Sequence, residues 1–179
     1  MDATTLGKLA QDVAAANEGQ LRLFVAGINT DDVTFLSFDS VGHSLSSDYR
    51  FNFMLELTNV VDLSNVIGSA AYFEVLDNDE PVYVHGIITE ASHLGARADG
   101  ETYFISMNSM LNPLKNTIQN RVYLNKTVKQ IVQDVLEDAQ FNSAEFEFKT
   151  QGEYPVREFT VQYDESDYDF IQRPLVKEN

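Results

Sequence analysis

The ten residues DYRFNFMLEL, from Asp48 to Leu57, place Tyr49, Phe51, Phe53, Leu55 and Leu57 on one side of an extended chain, and Arg50, Asn52, Met54 and Glu56 on the other. Alternation this strict matches the two-residue repeat of a strand and would scatter its apolar residues around a helix. The segment is therefore committed to a sheet with one buried face. Two short apolar runs bounded by turn residues, LRLFVAGI and DVTFLSF, come before it. After it, AYFEVL and PVYVHGIITEAS flank the turn Asp77-Asn78-Asp79-Glu80, and Gly95 to Gly100 lead into ETYFISMN. Short polar side chains favour such turns because they bond the local backbone. Six successive strands, mostly antiparallel, have to bury one face somewhere. Curling into a small barrel and stacking as a two-sheet sandwich both satisfy the pattern.

After Pro113 the period changes. Thr127 and Gln130 stand at capping-box spacing, and Val128, Ile131, Val132, Val135, Leu136 and Ala139 form one apolar stripe, which predicts a helix from Val128 to Ala139. The alternating EFEFKT and a strand around Val161 complete a small mixed α/β region. At the other end, Leu6, Leu9, Val13 and their neighbouring alanines predict a short, weakly amphipathic helix over residues 2–18, or an exposed leader. The expected division is a helical leader over residues 1–20, an antiparallel β-barrel over 21–115 and a truncated mixed region over 116–179.

Charge narrows the choice of function. Twelve basic against twenty-eight acidic residues give a formal charge of −16, which repels nucleic-acid phosphates and anionic lipid surfaces. Without cysteine there is neither a disulfide framework nor thiolate chemistry, and three scattered histidines do not make a zinc site unaided. Folding in a reducing cytoplasm fits this composition. No apolar run in the first twenty residues is long enough for a signal-peptide core, so export by the general secretory route is not expected.

The stretch EYPVREFTVQYDESDYDFIQR, Glu153 to Arg173, reads as strand, acidic turn and helix start. It resembles the signature of the VgrG spike proteins of type VI secretion systems, which are related to phage baseplate hubs. The matching positions are Tyr154, Arg157, Glu158, Gln162, Tyr163, Glu165, Ser166, Asp167, Phe170 and Arg173. Upstream, Leu63 to Gly68, Val84-His85-Gly86-Ile87-Ile88, Leu111-Asn112-Pro113-Leu114 and Asn120-Arg121-Val122-Tyr123 follow the order of the amino-terminal region of that family. The resemblance implies the barrel in preference to the sandwich, and a structural, non-enzymatic role at the base of a spike. It further implies a homotrimer in the full-length protein, seated on a hexameric tube protein, with effectors and baseplate components as further partners. Nucleic acid and a stable membrane anchor are not expected. Pro174 departs from the family pattern and predicts that the last helix kinks or ends there.

Chemistry-bearing residues receive modest readings. Asp164, Glu165, Asp167 and Asp169 could form an acid–base pair or ligate calcium or magnesium, but a helix capped by Ser166 or Asp164 explains them more simply. No catalytic, cofactor or metal site is expected. His85 reads as a fully or partly buried strand histidine bonded to a carbonyl, and His43 and His93 as solvated loop residues. Arg157 is expected in an internal ion pair, with a subunit contact as the other option. Tyr154, Phe159, Tyr163, Tyr168 and Phe170 read as core.

Overall fold

The computed structural model describes residues 21–41, 48–77, 80–142, 145–149 and 152–178, so the helix expected over residues 2–18, and His43, lie outside the described residues. The chain divides into two compact units, the first ending at Met110 and the second starting at Leu111.

In the first unit, β1 (Leu21–Val25), β2 (Val33–Val41), β3 (Arg50–Leu57), β4 (Ala70–Asp77), β5 (Glu80–Ala96) and β6 (Glu101–Asn108) form one sheet in the order β1-β4-β5-β6-β3-β2. Every pairing in it is antiparallel. The alternation of β3 does what it predicts, burying Phe51, Phe53, Leu55 and Leu57. Both expected hairpins form, β4 with β5 and β5 with β6. Two strands separate β4 from β3, which in a flat sheet would hold them about 14 Å apart. Yet the ring of Phe73 in β4 meets Phe51 and Phe53 of β3 at centroid distances of 4.7 and 5.6 Å, and Phe38 of β2 at 5.9 Å. The sheet therefore curls into a half-barrel with its apolar face inside. Of the two packings that alternation allowed, the barrel-like one is observed, with no ladder joining β1 to β2 among the described residues.

The corner is made by β5. Its first half, to Ile87, pairs with β4, and its second half, from Ile87, pairs with β6. A Cβ added at Gly86 would lie 2.4 Å from the carbonyl oxygen of Asn108 and 2.7 Å from Cγ of Met107. Only a residue without a side chain lets the backbones come this close. Gly86→Ala is expected to lower the unfolding free energy by about 1–3 kcal/mol. A urea midpoint equal to that of the parent protein would refute this account of the corner.

Tyr49, just ahead of β3, donates its hydroxyl hydrogen to the carbonyl of His85. Burial, helped by the neighbouring Asp48 carboxylate, pushes its phenol up to about 12. The folded state thus keeps a proton that the unfolded chain releases near pH ~10. Stability from this site is full below that pH and is lost as pH rises through the folded value. Denaturant titrations on the alkaline side should show this decline, and Tyr49→Phe should flatten it; an equal slope in both proteins would exclude Tyr49 as its source.

In the second unit, a 3-10 turn (Asn112–Asn116) precedes β7 (Ile118–Lys126), α1 (Val128–Asp138), β8 (Arg157–Ser166) and α2 (Asp167–Glu178), and β7 and β8 pair as an antiparallel ribbon. The predicted capping box is present: the Gln130 N–H donates to Thr127 Oγ1 at 3.2 Å, and the Thr127 N–H to Gln130 Oε1 at 2.9 Å. At its end Gln140 takes a left-handed φ of 69°, while Phe141 N–H reaches the Leu136 carbonyl at 2.9 Å, which closes the helix. Val128, Ile131, Val132, Val135 and Leu136 face the core with Leu114, Tyr123, Phe170 and Ile171.

Two expectations need correction. Residues 145–149, within EFEFKT, join no ladder; Phe146 and Phe148 instead pack edge to face with each other, 5.6 Å apart, and both lie against the core. Of the two outcomes expected at Pro174, a kink or an end, the end does not occur, because the last helix runs on to Glu178. Proline there removes one backbone bond, but the residue is itself buried and Leu175 packs on the same core, so tertiary contacts offset the loss.

Candidate functional site

The resemblance-bearing stretch forms the junction between β8 and α2. Its centre is Asp167, 1% exposed, whose Oδ1 accepts from Arg121 Nη1 at 2.6 Å and from Gln162 Nε2 at 2.7 Å. Gln162 is buried too, and its amide also donates to the Glu165 carbonyl at 3.2 Å. The Asp167 N–H donates to the Thr117 carbonyl at 2.9 Å. Arg121 reaches a second carboxylate, Asp138 in α1, at 3.5 Å. One buried acid thereby ties together β7, β8 and the start of α2.

Ser166 caps α2, accepting the Asp169 N–H at 3.0 Å and donating to Asp169 Oδ2 at 2.7 Å. Of the two cap candidates it is the serine, not Asp164, that serves. Asp164 sits instead in a β-bulge, where the register slips between Gln119 and Arg121. It takes a left-handed φ of 48° and donates its N–H to Asn120 Oδ1 at 3.0 Å. Glu165 pairs with Arg173 at 2.6 Å, and Arg173 also donates to the Val161 carbonyl at 3.0 Å. The four acids of the turn thus have four different tasks and do not converge as a pair. Among the described residues no cluster of three His, Asp or Glu is placed to hold a metal ion.

The remaining positions divide. Phe170 is buried and stacks on Tyr123 at 5.6 Å, whereas Tyr168 is half-buried beneath Lys115, whose Nζ lies 4.9 Å from the ring. Tyr154 and Arg157 are half-buried, with Arg157 opening β8 opposite Lys126, and Glu158 is exposed. Phe159 and Tyr163 overturn the core reading, being 63% and 78% exposed. His93, expected in a loop, lies in β5 with Nε2 2.7 Å from Glu101 Oε2 and its ring 4.9 Å from Tyr103. His85 is exposed rather than buried, its ring beside Tyr72 at 5.4 Å. Sequence reasoning missed the partnership of Arg121 with Asp167. The available signal was parity: Arg121 shares a strand face with buried Tyr123, and an arginine so placed needs an acid.

A half-barrel followed by a strand–helix junction locked by a buried ion pair is the build of a hub-type structural module. The chain belongs to the phage tail baseplate hub (GPD) family, whose model matches residues 44–179. It is similar to the type VI secretion system spike protein VgrG4b of Pseudomonas aeruginosa, with 30% identity over 167 residues, 91% of this chain and 20% of that protein. Among solved structures it is similar to the Escherichia coli c3393 protein, with a TM-score of 0.75 and 29% identity over 86% of this chain and 42% of that one. That protein is described as a component of the type VI secretion system with structural similarity to the T4 tail proteins gp27 and gp5. The VgrG resemblance is borne out. The chain spans a fifth of the length of the VgrG4b relative.

Proposed function

We propose that this chain forms the hub-like base of a type VI secretion spike: part of a trimer that sits on the hexameric tube, helps to puncture a target envelope and delivers effectors. The observation that carries this reading is the likeness to c3393 over 86% of the chain, at 29% identity and in the same fold. On this reading the protein assembles in the bacterial cytoplasm, leaves the cell without a signal peptide and performs no catalysis. Its contribution is a stiff, curled β-surface. The ten matching positions from Tyr154 to Arg173 act structurally, and Tyr163, exposed, is the one best placed to meet another chain. No helix among the described residues is long and apolar enough to cross a membrane.

A second reading, a baseplate hub of a phage tail or phage-like particle, is favoured by the family match itself. A chimera separates the two. The corresponding region of VgrG4b is replaced by residues 21–173 of this chain, and release of the tube protein into the medium is measured in Pseudomonas aeruginosa. Sustained release supports the secretion spike; a folded, expressed chimera that releases nothing counts against it and favours the phage hub.

A further inference from the structure

The turn between β5 and β6 carries the single Asp-Gly pair in the sequence, Asp99-Gly100, and no Asn-Gly occurs. It lies beyond the last ladder pair, Ala96 with Glu101, and Arg97, Ala98 and Asp99 are all exposed. The Arg97 N–H donates to the Gly100 carbonyl at 2.7 Å. The bond that usually closes such a turn, from the Gly100 N–H back to the Arg97 carbonyl, is absent among the described residues. The Asp99 carboxylate likewise has no hydrogen bond or ion pair among them. A backbone nitrogen and the carboxyl carbon of the preceding side chain are thus both unengaged. Packing also keeps the nitrogen unshielded. A Cβ at position 100 would lie 2.6 Å from the Leu57 carbonyl oxygen and 3.0 Å from Glu56 Cγ, so glycine alone fits there.

We infer that Asp99-Gly100 is a site of spontaneous isomerisation to isoaspartate in the folded protein. The Gly100 nitrogen attacks Cγ of Asp99 and gives up its proton, while a carboxyl oxygen leaves as water and a five-membered succinimide closes. Water then opens the ring. Addition at Cγ restores aspartate. Addition at the Asp99 main-chain carbonyl carbon breaks its bond to the Gly100 nitrogen, frees an α-carboxylate and routes the chain through Cγ. Mass is unchanged, and water is the sole co-reactant. The new link adds one backbone carbon just before β6, where Glu101 pairs with both Leu57 and Ala96 and holds His93 Nε2 at 2.7 Å. A longer turn works against that register, so the end of β6 loosens as the protein ages. This inference stands on the hairpin alone and does not depend on the secretion reading.

The test is to age the purified protein in warm neutral buffer beside a synthetic peptide of the same turn sequence. Trypsin, cutting after Arg97 and Lys115, isolates the site in a fragment with no other aspartate. A second chromatographic form of that fragment, equal in mass and accepted by a protein isoaspartyl methyltransferase, is expected to accumulate at a rate close to that of the peptide. Asp99→Glu, at an exposed position, should abolish it. Amide exchange at Glu101 and Thr102 should quicken in the aged parent and not in the aged variant. Conversion of the peptide without conversion of the folded protein, conversion only in urea, or an equal product from Asp99→Glu would overturn the proposal. Isomer accumulating with unchanged exchange would overturn the loosening of β6.

Discussion

Arg121→Met is expected to destabilise the protein by about 3–5 kcal/mol, a large part of the total stability of a typical domain. The substitution keeps most of the side-chain volume and removes the charge 2.6 Å from Asp167, an acid that is 1% exposed. Gln162 would then be the one side chain left to satisfy that carboxylate, whose second oxygen, Oδ2, already lacks a partner among the described residues. Arg121 is itself 22% exposed and bridges to Asp138, so part of the lost stability comes from ties on the open side of the network. The double variant Arg121→Met with Asp167→Asn should recover much of the loss, because no buried charge remains uncompensated. Urea unfolding of the single and double variants measures the coupling. Additive losses would show that the two residues do not act as a pair.

Phe73→Ala should cost a similar amount, about 3–5 kcal/mol, through the cavity it leaves and the ring contacts it deletes. Phe73 is where the two arms of the curled sheet meet, touching Phe38, Phe51 and Phe53 at once. Phe24→Ala makes an informative contrast, since its ring is only half-buried, stacking on Tyr72 at 4.4 Å outside the core. Calorimetry should show a much smaller fall in melting temperature for Phe24→Ala than for Phe73→Ala. Equal falls would mean that the contact across the curl contributes nothing special.

Local periodicity made the strands and the α1 helix legible. The alternation of β3 identified its buried face, and Thr127 with Gln130 marked the start of α1 to the residue. What alternation could not convey was the direction of curl or the meeting of Phe73 with β3, because a period says which side is buried and nothing about what it is buried against. The end of β5 was misjudged for a related reason. Gly95 looks like the start of a turn, whereas here it follows a register shift within the ladder, so His93 remained in the strand. At the β8–α2 junction the helix start was legible from Ser166 and its acids. The Arg121–Asp167 pair was not, since its members lie 46 residues apart and meet only when the ribbon forms. Phe159 and Tyr163 were misread because aromatic residues in a strand are usually buried, and only the register shows them on the outer face.

The strand order of the half-barrel also sets a timetable for synthesis. Leu21 in β1 pairs with Val75 in β4, and Arg50 in β3 pairs with Asn108 in β6, so each of these pairs joins residues more than fifty positions apart. At a translation rate of about 5–20 residues per second, β1 leaves the ribosome roughly 3–10 seconds before its partner exists. The β2–β3 hairpin waits as long for β6, with Phe51 and Phe53 uncovered meanwhile. A nascent chain of this design therefore spends seconds displaying aromatic strands without their ladder partners, the interval in which a ribosome-associated chaperone would have something to hold.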